Sequence, residues 1–279
     1  TIFAFAVATI GFAFTTAGNI RERFVVSQKT TLELLRYSEE RRAQEMILRA
    51  KDLVVRTSIT DLYENGVGEQ ANKEIGELQK NGGLSGVRLF GIEGKTVLSL
   101  SDGTVVDWAV FGRAVKGESV WGYELESGVM SLAVAVPVKS GEKVVGVAVL
   151  SKKIDSNFLQ EMTGKIKSNL WVYKQNQIVS SSDNGERVAL LSGLTDNNTV
   201  FEKQVITEGK DLVRSEVRMS GEYYMGVWGA LKNTNGTPIG SLAVVTRVDE
   251  LWQIVQIALN RDYQLAVLSL VLSLLPAVM

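Results

Sequence analysis

Apolar residues run without a single charge from Thr1 to Gly18 and again from Tyr263 to Met279. Between these runs the pattern changes twice, first to helical spacing and then to short alternating segments. Crossing roughly 30 Å of hydrocarbon takes about 20 helical residues. Residues 1–18 are therefore expected to form a membrane helix, and residues 251–279 a connecting helix that leads into a second. A signal-peptide core and a buried terminal helix are the alternatives for the two runs.

From Asn19 to Leu62 the chain is charged and free of Gly and Pro, which favours helix. Ala43, Met46, Ile47, Ala50, Leu53, Val54 and Thr57 recur at spacings of three and four, which marks one apolar face. Ile20, Phe24, Leu34 and Leu35 suggest a further seam nearer the first apolar run, where a second copy could pack. A helix of this length exceeds what a compact domain buries and reads as a stalk. A second helix is expected over Gly68–Lys80, closed by Asn81-Gly82-Gly83, so that residues 19–80 form the stalk and packing helices.

Short strands follow. Gly86 to Ser101 reads as strand, Glu-Gly turn, strand, and Val120–Tyr123, Val129–Val138 and Lys143–Ser151 add three more. Asp155 is placed to cap a helix that reaches Met162. The order then repeats: Leu170–Ser182 as a strand pair, then strands at Leu212–Met219, Tyr223–Leu231 and Ile239–Thr246. The closest internal match sets GVAVLSKKID, from Gly146 to Asp155, against GSLAVVTRVD, from Gly240 to Asp249. Two similar α+β modules are expected, at residues 81–165 and 166–250.

Composition narrows the chemistry. With 30 basic and 31 acidic residues the chain has no basic face for nucleic acid. It contains neither Cys nor His, so disulfides, thiolate nucleophiles and His-ligated metals are excluded. Ser180-Ser181-Ser182 lacks the base of an ordinary triad, and no phosphate-loop motif occurs. Asp155 and Asp249 recur in both modules, as helix caps would and a catalytic pair would not. No catalytic residue, metal or cofactor is expected.

The whole arrangement of apolar helix, stalk, two PAS-like sheets and returning apolar helix resembles the double Cache sensors of bacterial receptors. Leu132–Leu159 carries the cadence of an apolar strand, Pro-Val, a Gly turn, a Gly-Val strand, then Asp and helix. Tyr223–Trp252 is similar to the membrane-proximal counterpart. The resemblance implies an α+β fold of two antiparallel-sheet modules, with a small-molecule pocket in the distal one. It also implies a two-pass protein of the bacterial inner membrane, dimeric and in contact with lipid, with most of the chain in the periplasm. A methyl-accepting chemotaxis protein is the expected receptor type, with a histidine kinase, a diguanylate cyclase or a membrane-anchored interaction subunit as alternatives.

An amino-acid-binding subgroup of such sensors carries an aromatic, then Arg, then aromatic and acidic residues. The nearest material here is Trp108, Arg113, Trp121 and Tyr123, and Arg113 is followed by Ala-Val-Lys instead. These four residues, with Ser131 on a strand, are the candidate pocket for a small anionic ligand: Arg offers a fork of donors to a carboxylate, and aromatic walls exclude water. The alternative makes Trp108 and Trp121 core residues and Arg113 a solvated charge.

Overall fold

A computed structural model describes residues 2–66, 68–100, 108–126, 129–163, 168–174, 177–182, 203–210, 213–219, 222–247 and 249. The expected connecting helix and second membrane helix, at 251–279, lie outside the described residues. Helix α1 runs over Ile2–Val54. Among the described residues no helix is long and apolar enough to cross a membrane.

The helix expected to continue to Leu62 stops after Val54. Arg56 takes an extended conformation (φ −74°, ψ 139°) and opens a separate helix α2, Thr57–Asn65. The break lets Ile59 and Leu62 turn back into the core. Arg56 bonds Asp52 at 2.9 Å, and Ser58 donates to Glu74 at 2.7 Å, which ties the corner to the next helix. That helix, α3, spans Glu69–Gly82 and ends on Gly83 in the left-handed region. Gly83 and Leu84 N–H donate to the Lys80 and Gln79 carbonyls, which satisfies the last turn.

The first module places β1 (Gly86–Gly91), β2 (Thr96–Ser99), β3 (Val120–Glu126), β4 (Val129–Ser140) and β5 (Lys143–Lys153) in one antiparallel sheet, ordered β2-β1-β5-β4-β3. Helix α4 (Trp108–Val115) joins β2 to β3, and α5 (Ser156–Thr163) follows β5. The second module repeats the scheme with β6 (Asn169–Lys174), β7 (Gln177–Ser181), β8 (Val213–Met219), β9 (Glu222–Lys232) and β10 (Pro238–Arg247), ordered β7-β6-β10-β9-β8. A short π-helical turn, Lys203–Thr207, crosses this second sheet. The matched segments at Gly146 and Gly240 thus become the central strands β5 and β10 of equivalent sheets. Asp155 accepts the Phe158 N–H at 2.9 Å, the cap expected of it. Asp249 instead pairs with Arg247, and the helix it was expected to cap lies outside the described residues.

One face of each sheet packs on α1. Val87, Leu89, Leu132, Val134, Ala148 and Leu150 of the first sheet share a core with the Ala43–Val54 end of the helix. Leu170, Val172, Met225, Val227, Leu242 and Val244 of the second join the same core, which takes in Val25, Leu32 and Leu35. Gln28 donates to the Met225 carbonyl, so the second module meets α1 earlier along the chain, nearer the apolar amino-terminal run. Tight spots fix the packing. A Cβ on Gly146 would collide with the Tyr63 ring and the Phe90 carbonyl, and a Cβ on Gly122 would meet Thr234 of the β9–β10 hairpin.

The expected stalk seam divides. Leu35 turns into the core and Phe24 packs against it, while Leu34 is exposed. A helix flanked by two sheets must give them one face, and Leu35 lies on it. The outward face carries Val26, Leu34, Tyr37, Leu48 and Val55.

Candidate functional site

The pocket residues expected from the sequence fall on two sides of the first sheet. Antiparallel pairing sets Val120 opposite Ala135 and Tyr123 opposite Leu132, and successive residues alternate between faces. Trp121 and Tyr123 therefore face the stalk. Their rings meet edge to face at 6.1 Å, and the Tyr123 hydroxyl donates to Glu39 of α1. Ser131 lies on the opposite face, the one on which α4 packs. Trp108 begins α4 and Arg113 lies near its end. Arg113 Nε and Nη2 donate to Glu118 at 2.9 and 2.7 Å, with both side chains about half exposed (48% and 50%). Trp121 and Tyr123 do not converge with Ser131 and Arg113, because β3 gives the two aromatics to the helix it packs on, and the exposed side of α4 gives Arg113 a local ion pair.

The face beneath α4 carries a different set. Phe90, Val110, Phe111, Ala114, Val120, Ala135, Val147 and Val149 form an apolar layer, with Phe90 and Phe111 edge to face at 6.0 Å. Next to this layer the sheet turns polar while staying buried. Arg88 is 2% exposed, Ser151 1%, Ser131 1% and Glu124 3%. Register orders them: Glu124 opposes Ser131, Ser131 opposes Lys153, and Arg88 opposes Val149. Ser151 is thus the diagonal neighbour of both Ser131 and Arg88. The four form one oblique stripe across β1, β5, β4 and β3, each step within about 8 Å. Gly122 and Ala133, paired beside it, add no large side chain to this part of the face. The Ser131 and Ser151 hydroxyls have no hydrogen-bond partner among the described residues.

The second module shows what the fold itself requires here. Aligning Gly146 with Gly240 and following the register, Arg88 corresponds to Trp171, Ser151 to Val245 and Ser131 to Tyr224. These three are fully buried, and Trp171 and Tyr224 pack at 4.7 Å. The same architecture is therefore stable with an apolar, aromatic filling. A buried hydroxyl without a partner costs about 1–3 kcal/mol, so stability does not explain Ser131 and Ser151 at these positions. Sequence reading overlooked Arg88, Glu124 and Ser151. The available signal was a lone Arg inside the apolar strand GVRLFG, and Ser151 set against Val245 in the internal repeat.

A second concavity lies between the modules, a cleft of about 610 Å³ lined by Glu33, Arg36, Glu39, Trp121, Lys232 and Thr234 among others. Glu39 is 1% exposed at its wall, and burial raises its carboxyl to about 7 despite the Tyr123 hydrogen bond and the charges of Arg36 and Arg42. The Tyr123 hydroxyl is pushed well up by burial and by the Glu39 charge. Among the described residues no cluster of carboxylates is set to hold a metal ion.

Comparison with known proteins bears on the fold. The extracellular domain of the putative histidine kinase vpHK1S-Z8 superposes with a TM-score of 0.56 at 14% identity, covering 84% of this chain and 99% of that one. The ligand-binding domain of the Campylobacter jejuni chemoreceptor Tlp3, in complex with L-valine, gives 0.47 at 14% identity over 85% of this chain and 98% of that one. The sensor domain of the V. cholerae histidine kinase DctB gives 0.43 at 14% identity, over 79% and 98%. No match was found among curated proteins. A family profile described as the double sensory domain of two-component sensor kinase matches residues 40–251, which include both sheets. The chain belongs to this double Cache (dCache_3) family of sensory domains.

Proposed function

We propose that the chain is the ligand-sensing region of a bacterial inner-membrane receptor. Residues 1–18 and 251–279 supply two membrane helices in contact with lipid, and the modules lie in the periplasm. The first module is membrane-distal, because α1 passes the second module first. The description of the matched family supports a sensor-kinase output over the chemotaxis output expected from the sequence.

The observation that carries this reading is the buried polar stripe of the distal module, set against the aromatic filling at the same positions of the proximal one. Arg88 supplies the fork for a ligand carboxylate. Glu124, at the far end of the stripe, suits an amino group, and the Ser131 and Ser151 hydroxyls lie between them. A small carboxylate-bearing molecule, and best an amino acid, fits this order. Helix α4 forms the cover. A ligand shifts a receptor only by binding its two states unequally. Closure of α4 over the stripe would move β4 and β5, whose other faces rest on α1, and so carry the signal into the stalk.

The test is a thermal-shift screen of amino acids and small organic acids. At a hundred times its dissociation constant a ligand adds about 2.7 kcal/mol of stability. Arg88→Met keeps the volume of the site and removes its charge, so it is expected to abolish the shift while the unliganded protein stays folded. Arg113→Ala is expected to leave the shift intact. A shift that survives Arg88→Met and disappears in Arg113→Ala would return the site to the residues first expected.

The receptor is also proposed to be a homodimer, paired along the outward face of α1. Val26, Tyr37 and Leu48 recur at an 11-residue spacing, close to three helical turns, and Val55 continues the stripe. The chain has no cysteine, so single cysteines report cleanly. Thr30→Cys and Gln44→Cys, on this face, are expected to crosslink between copies under mild oxidation, and Glu45→Cys, to one side, much less. Equal crosslinking at all three positions would count against the face.

A further inference from the structure

A single turn of α1, from Arg36 to Glu39, grips both modules at once. Arg36 Nη2 donates to the Ala230 carbonyl of β9 at 3.2 Å, in the proximal module. Its guanidinium lies where a Cβ on Gly229 would stand, so the strand is shaped around it. Three residues on, Glu39 accepts the Tyr123 hydroxyl from β3, in the distal module. Glu39 and Tyr123 are 1% and 7% exposed, and the second Glu39 oxygen, Oε1, has no hydrogen-bond partner among the described residues. The inter-module cleft opens directly beside this turn. The Thr234 hydroxyl, on the hairpin that faces Gly122 across the junction, likewise lacks a partner among the described residues.

We infer that the Arg36–Glu39 turn is a proton-operated clamp between the two modules, closed when Glu39 is neutral and loosened when it is charged. The proton is the ligand, and Glu39 is its site. The surroundings of Glu39 decide the direction. Arg36 and Arg42 on α1 favour its charged form, as does the Tyr123 hydroxyl from β3. Arg42 is itself engaged by Glu161 of α5 at 3.7 Å and by the Phe158 ring. Glu33 and Glu40 on α1 and Lys232 on β9 line the cleft beside it. Against the favourable charges stands complete burial, which outweighs them and raises the carboxyl from 4.5 to about 7. In an opened clamp Glu39 meets water and returns toward its ordinary value. Protons therefore favour closure. The bias toward closure is fully present below about 4.5 and is lost as the pH rises to about 7. Across that window the closed-to-open ratio falls by up to about 300-fold. The clamp acts whatever ligand the distal stripe takes, so a receptor built this way reads ambient acidity and ligand through the same stalk.

The experiment is a distance measurement between spin labels at Glu93→Cys, on the β1–β2 turn, and Asn235→Cys, on the β9–β10 turn, in the full chain in nanodiscs. The open component is expected to grow between pH 5 and 7 and to level off above 7. Glu39→Gln is expected to hold the closed distance at pH 8. Tyr123→Phe removes a hydrogen bond that lowers the Glu39 carboxyl, so its levelling-off point should move to higher pH. A distance unchanged by pH in the unsubstituted protein overturns the clamp. So does a Glu39→Gln variant that titrates as the parent does, or a Tyr123→Phe variant whose levelling-off point stays or falls.

Discussion

Trp171→Ala is expected to cost about 3–5 kcal/mol of stability, among the largest effects of any single side chain in the protein. Trp171 has no exposed surface and stands on β6 opposite Ala243, which in turn stands opposite Trp228 on β9. The small central residue is what lets two indoles share one face of a sheet. Tyr224 closes against Trp171 at 4.7 Å, and Val205 of the π-helical turn seals the layer from outside. Gly226 completes the fit, since a Cβ there would meet Val245 at 2.6 Å and the Trp228 ring at 3.0 Å. Few neighbours can relax into the space an indole leaves, because Tyr224 and Trp228 are rigid and Ala243 has nothing to extend. Truncation therefore adds an unfilled cavity to the lost burial. Chemical denaturation followed by fluorescence measures the loss. A cost below about 1 kcal/mol would mean that the aromatic layer repacks freely, and would weaken the contrast on which the distal site rests.

That contrast shows where sequence reading succeeds and where it stops. The succession of strands along the chain could be followed because turn chemistry marks it: Asn235-Gly236 closes the β9–β10 hairpin, and Asp155 caps the helix after β5. The repeat of Gly146–Asp155 in Gly240–Asp249 announced two modules, and they occupy the same central place in two sheets. The corner at Val55-Arg56 was not visible, since neither Gly nor Pro marks it; ion pairs with Asp52 and Glu74 make it. The site was harder to read. Trp121, Tyr123 and Arg113 have the residue types of a pocket, but their spacing does not say which face of β3 turns to the stalk or that Glu118 pairs with Arg113. Arg88, Ser151 and Ser131 meet only through a register that spans the whole module. The two serines sit on the β4–β5 hairpin, but Arg88 precedes both by more than forty residues, so no local pattern joins the three.

The stability of the protein should fall by up to about 3 kcal/mol between pH 4.5 and 7 through Glu39 alone, and Glu39→Gln should remove that slope. The sign follows from proton counting. The folded carboxyl holds its proton up to about 7, whereas the unfolded one releases it near 4.5. Between these values the folded state binds more protons, so raising the pH disfavours folding. A tenfold difference in proton affinity between the two states is worth about 1.4 kcal/mol, and burial leaves solvent little chance to screen the charge. Below 4.5 both states are protonated, and Glu39 adds nothing to the pH dependence. Above 7 both are ionised and the loss is complete, whether the charge stays buried or the opened clamp releases it to water. Glu39→Gln keeps the shape and can still accept the Tyr123 hydroxyl, but it brings an amide N–H₂ to the place of an unpartnered oxygen, at a cost of about 1–3 kcal/mol. The variant should therefore match or fall below the parent at pH 4.5 and gain on it steadily to pH 7. Urea denaturation at several pH values, comparing the two proteins, isolates this group from the other carboxylates. Parallel stability curves for the two would show that Glu39 titrates alike in the folded and unfolded chain, and that it holds no buried proton.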